Sequence, residues 1–185
     1  MTDTTDRIVT IPNIISALRL VGVPVYFWMI IAEHYDWAII LLVLAGLSDY
    51  LDGYLARKLQ QFSKLGEVLD PIADRLYIGF TAMGLAIVSI APWWLFWAVV
   101  LRDVVMLVYL VWLRTKGIDG VEVNYIGKIA TTMLLYAFPF LVLGEAVPSL
   151  YDICRAIGWA WALWGVFAYW YAALLYIRNA KTITT

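Results

Sequence analysis

The sequence predicts an all-α integral membrane protein of six transmembrane helices, led by an N-terminal amphipathic helix lying in the membrane interface. Three observations carry that prediction. Of 185 residues, 64% are hydrophobic, more than a soluble domain of this size can bury given its surface-to-volume ratio. Several apolar runs approach or pass the roughly 20 residues needed to cross a bilayer. The lysines and arginines gather in alternate loops. The length implies a single domain over residues 1–185, with 1–10 as a polar tail. A net charge of −1 says little about partners, and no nucleic acid is expected among them.

The elements follow in order. Residues 1–10 carry Asp3 and Asp6 and lack the basic opening of a cleavable signal peptide. In "TIPNIISALRL" the apolar Ile11, Ile14, Ile15, Leu18 and Leu20 interleave with Asn13, Ser16 and Arg19. That spacing suits a helix entering along the interface, with Pro12 in its first turn. Spans are then expected over about 20–32, 37–57 and 66–90, from "PWWLFW" to about Arg114, and over about 125–144 and 156–177. The polar loops "KLQQFSKL" and "RTKGIDGVEVN" separate the second from the third and the fourth from the fifth. No internal repeat is visible. His34, between Glu33 and Asp36, reads as a solvated loop residue, and the single Cys154 as a small buried side chain.

The loop charges set an orientation. Arg57, Lys58 and Lys64 flank the second loop, Arg114, Lys116 and Lys128 the fourth, and Arg7, Arg178 and Lys181 lie toward the termini. The first and third loops carry no lysine or arginine, and the fifth only Arg155. By the positive-inside rule both termini face the cytoplasm, across a bacterial plasma membrane. Trp37, Trp93, Trp94 and Trp159 then belong to the outer aromatic belt.

Against this apolar background stands "SDYLDGYLARKLQQFSKLGEVLDPIAD", with aspartates at 49, 52, 70 and 74. Asp49, Asp52, Gly53 and Ala56 can share one helical face, and Gly66, Asp70 and Asp74, four apart, another. The short loop between them makes the two helices expected antiparallel neighbours. Four ionised carboxylates at such depth are costly unless paired, and Arg57 and Arg75 could neutralise two at most. Clustered hard oxygen donors suit Mg²⁺, Mn²⁺ or Ca²⁺, and two divalent ions would balance four charges. Gly53, Gly66 and Ala56 leave room for a bulky ligand to lie against the backbone. Glu67 reads as an ordinary solvated acid.

These eight positions, Asp49, Asp52, Gly53, Ala56, Arg57, Gly66, Asp70 and Asp74, resemble the D-x-x-D-G-x-x-A-R-x8-G-x-x-x-D-x-x-x-D signature of the CDP-alcohol phosphatidyltransferases. The resemblance implies an integral membrane enzyme that moves a phosphatidyl group from CDP-diacylglycerol to an alcohol and releases CMP, with two divalent cations, Mg²⁺ or Mn²⁺, as cofactors. It implies Asp49, Asp52 and Asp70 as ligands of one metal, and Asp49, Asp70 and Asp74 as holding or bordering the second. It also implies Asp74 as the base for the acceptor hydroxyl. Gly53, Ala56 and Gly66 would line the nucleotide pocket, and Arg57 would meet the diphosphate. "PNIISALRL" is similar to the family's P-N-x-x-[ST]-x-x-R entry segment through Asn13, Ser16 and Arg19, which implies a use for them around the nucleotide or metal site. The family is commonly homodimeric, so a homodimer among membrane lipids is expected.

The acceptor is read from the fourth and fifth spans. Arg102 and Asp103, mid-span, point to function or to a local ion pair; Arg102 and Lys128 are the candidate phosphate binders. The glycerol 3-phosphate enzymes of the family show A-R-E and G-K-x-K-T there, where this chain has Asp103 in place of Glu and Ala130 in place of the second Lys. A soluble dianionic acceptor should want that extra cation. "RDVVML" and "YIGKIAT" resemble the cardiolipin synthase branch, whose acceptor is phosphatidylglycerol, and actinobacterial members above all. Phosphatidylglycerol is therefore the expected acceptor, with glycerol 3-phosphate the alternative. A divalent-cation transporter is the alternative from another class, but inverted repeats and midplane breaks typical of transporters are not visible.

Overall fold

The computed structural model describes residues 11–59, 64–117 and 125–184; the side chains of 11–14, 16, 49–57, 59, 64–71 and 181–184 lie outside the description. The described residues form six α-helices and one short 3₁₀ turn, with no strand. They are α1 (Ile11–Ile31), α2 (Tyr35–Leu59), α3 (Lys64–Ile87), α4 (Trp93–Thr115), α5 (Tyr125–Ala146), the turn Pro148–Leu150 and α6 (Tyr151–Thr184). Among the described residues, α4, α5 and the stretch Pro148–Ala180 are long and apolar enough to cross a membrane. Ala17–Ile31 in α1 and Tyr35–Ser48 in α2 are shorter apolar stretches. The chain is an integral membrane protein by this reading. It falls into two compact units, one ending at Val88 and the other beginning at Ser89.

In the first unit, α1 runs from Ile11 to Ile31 without a break. The residues expected along the interface and those expected to span are thus turns of one helix. Its end is a Schellman closure: Glu33, at φ 59°, donates its N–H to Ile30 O (3.1 Å) and His34 donates to Met29 O (2.9 Å). Arg19, Val23, Tyr26 and Ile30 are buried at steps of four, three and four residues, which is one helical stripe. Helix α1 packs against both α2 and α3. The turns where α2 and α3 are expected to meet lie outside the described side chains.

The α1–α3 register is set by three rungs. Arg19 meets Asp74; a Cβ on Gly22 would lie 2.8 Å from the Tyr77 hydroxyl; one on Gly84 would lie 3.0 Å from Ile30 Cγ2. The numbers rise together on both helices, so α1 and α3 run parallel. Helix α3 stops at Ile87, not near 90: Ser89 adopts φ 61°, and Pro92, extended at φ −73° and ψ 151°, caps α4.

In the second unit α5 and α6 are the most closely packed pair. A Cβ on Gly158 would sit 2.9 Å from Leu141 Cγ, and one on Gly165 would sit 3.1 Å from Leu134 Cγ. Seven residues separate the glycines on α6 and seven the leucines on α5, so two leucine knobs enter two glycine notches. Helix α4 is tied to α6 by hydrogen bonds from Trp170 Nε1 to Ala98 O (3.0 Å) and from Tyr109 Oη to Ile177 O (3.3 Å). Met106, Leu113, Ala173, Tyr176 and Ala180 fill the space between them. Helix α6 begins at Tyr151, a turn earlier than expected, because Pro148 starts a 3₁₀ turn that feeds straight into it. Trp94 and Trp159, both expected at one interface, meet with ring centroids 6.1 Å apart.

Candidate active site

Helix α2 is continuous through 49–56, so positions 49, 52, 53 and 56 fall within an arc of roughly 100° at 100° per residue. Position 57 follows directly. Helix α3 likewise carries 66, 70 and 74 down one face. In the sequence the uncharged run of α2 ends at Ser48, immediately before Asp49. The side chains of Asp49, Asp52, Arg57 and Asp70 lie outside the described residues, as do those of Asn13 and Ser16 and the surroundings of Gly53, Ala56 and Gly66. Among the described residues no three His, Cys, Asp or Glu side chains come together.

Asp74 is the described member of the set. Its side chain is 55% exposed, and its Oδ1 accepts a hydrogen bond from Arg19 Nη1 at 3.0 Å. Arg19 is 55 residues away in sequence and its side chain only 2% exposed. The expected neutralisers are Arg57, whose side chain lies outside the description, and Arg75; the described partner of Asp74 is Arg19 of α1. A signal for it existed in the sequence, since Arg19 continues the apolar stripe of Val23, Tyr26 and Ile30. A cation on a buried stripe needs a counter-charge on the helix it faces.

Beside this pair a groove of about 350 Å³ opens between the helices of the first unit, lined by Arg19, Gly22, Leu41, Ala45, Ser48 and Tyr77 among others. Its walls are apolar, and its polar members, Arg19 and Ser48, adjoin the aspartate-bearing turns. Ser48 Oγ donates to Ala45 O at 2.7 Å, keeping that hydroxyl on its own helix. The carboxylate donors are hard oxygens, and the half-exposed Asp74 can be reached by a cation from water. The residues therefore fit divalent ions of the Mg²⁺ or Mn²⁺ kind.

The second unit holds the other two candidates. Arg102 is 9% exposed. Its Nη1 donates to Asp103 Oδ1 at 3.0 Å, its Nε to Tyr169 O at 3.3 Å, and its guanidinium carbon lies 3.8 Å from the centroid of the Tyr169 ring. Tyr169 Oη donates to the same Asp103 oxygen at 2.7 Å. Of the two uses the sequence left open for Arg102, these contacts are those of the local ion pair. Lys128 is exposed in the first turn of α5, and its carbonyl accepts the Thr131 and Thr132 hydroxyls at 2.9 Å each. No described contact joins it to Arg102. Ala130, where the glycerol 3-phosphate pattern has a second lysine, is 0% exposed.

Comparison with known proteins identifies the family. A family model described as CDP-alcohol phosphatidyltransferase matches residues 9–180. A Streptomyces coelicolor protein named cardiolipin synthase (CMP-forming) is 45% identical over 97% of this chain and 86% of its own length. An Aquifex aeolicus protein named CDP-diacylglycerol–glycerol-3-phosphate 3-phosphatidyltransferase is 28% identical over 77% of this chain and 79% of its own. A human protein named cardiolipin synthase (CMP-forming) is 37% identical over 58% of this chain and 36% of its own.

Proposed function

Because the chain belongs to the CDP-alcohol phosphatidyltransferase family, we propose that it transfers the phosphatidyl group of CDP-diacylglycerol to phosphatidylglycerol, giving cardiolipin and CMP. The observation that carries the choice of acceptor is the 45% identity, over nearly the whole chain, to a protein named as a CMP-forming cardiolipin synthase. The Aquifex aeolicus relative keeps glycerol 3-phosphate as the second reading. The family leaves cation transport without support.

Asp49, Asp52, Asp70 and Asp74 would hold two divalent cations. Bound there, those ions would offset the charge of the diphosphate as CMP leaves. Arg57 meets the same diphosphate, and Gly53, Ala56 and Gly66, with Asn13 and Ser16, border the nucleotide. Asp74 accepts the proton of the acceptor hydroxyl. That oxygen forms a bond to the phosphatidyl phosphorus as the bond to CMP breaks, and CMP departs with the electron pair. Lys128 attracts the acceptor phosphate. All six helices cross a bacterial plasma membrane, with termini and site on the cytoplasmic side, and two copies associate.

The test uses purified protein in detergent with CDP-diacylglycerol and Mg²⁺ or Mn²⁺. Phosphatidylglycerol and glycerol 3-phosphate are offered separately, and CMP and lipid products are read by mass spectrometry. Cardiolipin formed only with phosphatidylglycerol is the expected result. Phosphatidylglycerophosphate from glycerol 3-phosphate would keep the family chemistry and overturn the acceptor.

A further inference from the structure

Among the described residues, the buried stripe of α1 carries charge at one place. Val23, Tyr26 and Ile30 continue into Arg19, whose guanidinium is almost wholly enclosed yet ends on a carboxylate that is half open to water. The asymmetry matters. An exposed aspartate alone samples several rotamers, whereas an enclosed arginine has few positions to take. In this pair the arginine is the fixed partner and the carboxylate the presented one. The next rung enforces it: three residues beyond Arg19, Gly22 admits the Tyr77 hydroxyl where a Cβ would come within 2.8 Å, and Tyr77 lies three residues beyond Asp74. Helix α1 therefore cannot slide along α3 without breaking both rungs.

We propose that Arg19 is a positioning residue for phosphatidyl transfer: its guanidinium sets the direction in which Asp74 presents its carboxylate, with the Gly22–Tyr77 contact fixing the helix that carries it. The inference rests on the reading of Asp74 as the base for the acceptor hydroxyl. Arg19 touches neither substrate in this scheme. Its planar fork supplies direction as well as charge, which a lysine ammonium in the same place would not.

The experiment compares wild type with Arg19→Met, Arg19→Lys and Asp74→Asn. It measures kcat, the KM of each substrate, and Mn²⁺ binding by electron paramagnetic resonance without substrate. Arg19→Met should lose about 100-fold in kcat, the scale of a misplaced catalytic group. Its CDP-diacylglycerol KM should stay within about threefold of wild type, and its Mn²⁺ affinity should fall by much less than its kcat, because Asp74 is one of four carboxylates in the set. Arg19→Lys should fall between, at about a tenfold loss of kcat. Wild-type kcat in Arg19→Met overturns the inference, and so does a loss of Mn²⁺ binding in step with kcat, which would make Arg19 part of the ligand-holding structure. If Arg19→Met does not fold, Arg19→Lys decides: a lowered kcat at unchanged KM supports the inference, and wild-type kcat refutes it. Asp74→Asn separates the two layers. An active Asp74→Asn removes the base reading, while an inactive one beside a fully active Arg19→Met removes only the positioning role.

Discussion

Replacing Arg102 by Met removes a charge from between α4 and α6 while keeping most of the apolar stem. What remains is Asp103, 23% exposed, still bonded to the Tyr169 hydroxyl but without its cation. Breaking a buried pair from one side costs about 3–5 kcal/mol; the partial exposure of Asp103 places this case near 3 kcal/mol. Loss of the guanidinium from the Tyr169 face, 3.8 Å from the centroid, adds up to about 1 kcal/mol. Asp103→Leu should cost a similar amount by stranding Arg102. Removing both charges strands neither, so Arg102→Met with Asp103→Leu should fall within about 1 kcal/mol of wild type. For a chain of this size each kcal/mol moves the thermal midpoint by about 2–4 °C. Each single variant should therefore melt about 6–16 °C low and the double variant within a few degrees of wild type. Thermal unfolding in detergent, followed by tryptophan fluorescence, measures all four corners of the cycle. A double variant as unstable as the singles would refute the reasoning. So would an Arg102→Met protein with an unchanged midpoint and a raised acceptor KM, because the guanidinium would then be spent on ligand phosphate rather than on Asp103.

Other outcomes follow from the packing and the site. Gly158→Ala drives a methyl to within 2.9 Å of Leu141 Cγ and 3.1 Å of its backbone nitrogen; the α5–α6 pair should lose about 1–3 kcal/mol, while Gly79→Ala, with nothing within 4 Å, should be neutral or slightly stabilising in the same melt. Ala130→Lys puts a cation at a fully buried position and should lower the yield of folded protein without conferring use of glycerol 3-phosphate; a stable variant that gains that acceptor would show that position 130 alone selects it. Chelation by EDTA should abolish CMP release and added Mg²⁺ or Mn²⁺ should restore it, because the carboxylate set needs divalent charge to hold a diphosphate.

Much of the fold was legible because helical membrane proteins announce themselves by length and apolarity. The starts of α4 at Trp93 and of α5 at Tyr125 follow directly from "PWWLFW" and from the polar loop before "YIGK". The end of α3 and the start of α6 were misjudged by a few residues. There a local device overrides hydropathy: a positive-φ Ser89 in one case and a 3₁₀ turn at Pro148 in the other. The candidate site was legible as a pattern, since eight residues at helical spacing need no tertiary information to be found. What no spacing could show is which cation answers Asp74. Arg57 and Arg75 are near in sequence, but Arg19 is brought to it by the parallel packing of α1 on α3, a relation between elements 55 residues apart. Arg102 was ambiguous for the same reason, because Tyr169 supplies both a ring and a hydroxyl from two helices further on.

In the sequence only 12 uncharged residues, Trp37 to Ser48, separate Asp36 from Asp49, which at 1.5 Å per residue is about 18 Å, short of the roughly 30 Å of a hydrocarbon core. With Asp49 and Asp52 following in the sequence, the cost of burying carboxylates in hydrocarbon favours a depth near the lipid phosphates. A phosphatidyl donor and a phospholipid acceptor drawn to that level meet without either leaving its leaflet. Encounter is then a two-dimensional event, governed by the mole fraction of each lipid in the surface rather than by its bulk concentration. Diluting both substrates with inert lipid at constant total amount should slow the reaction, and enlarging the volume of buffer around the same micelles should not.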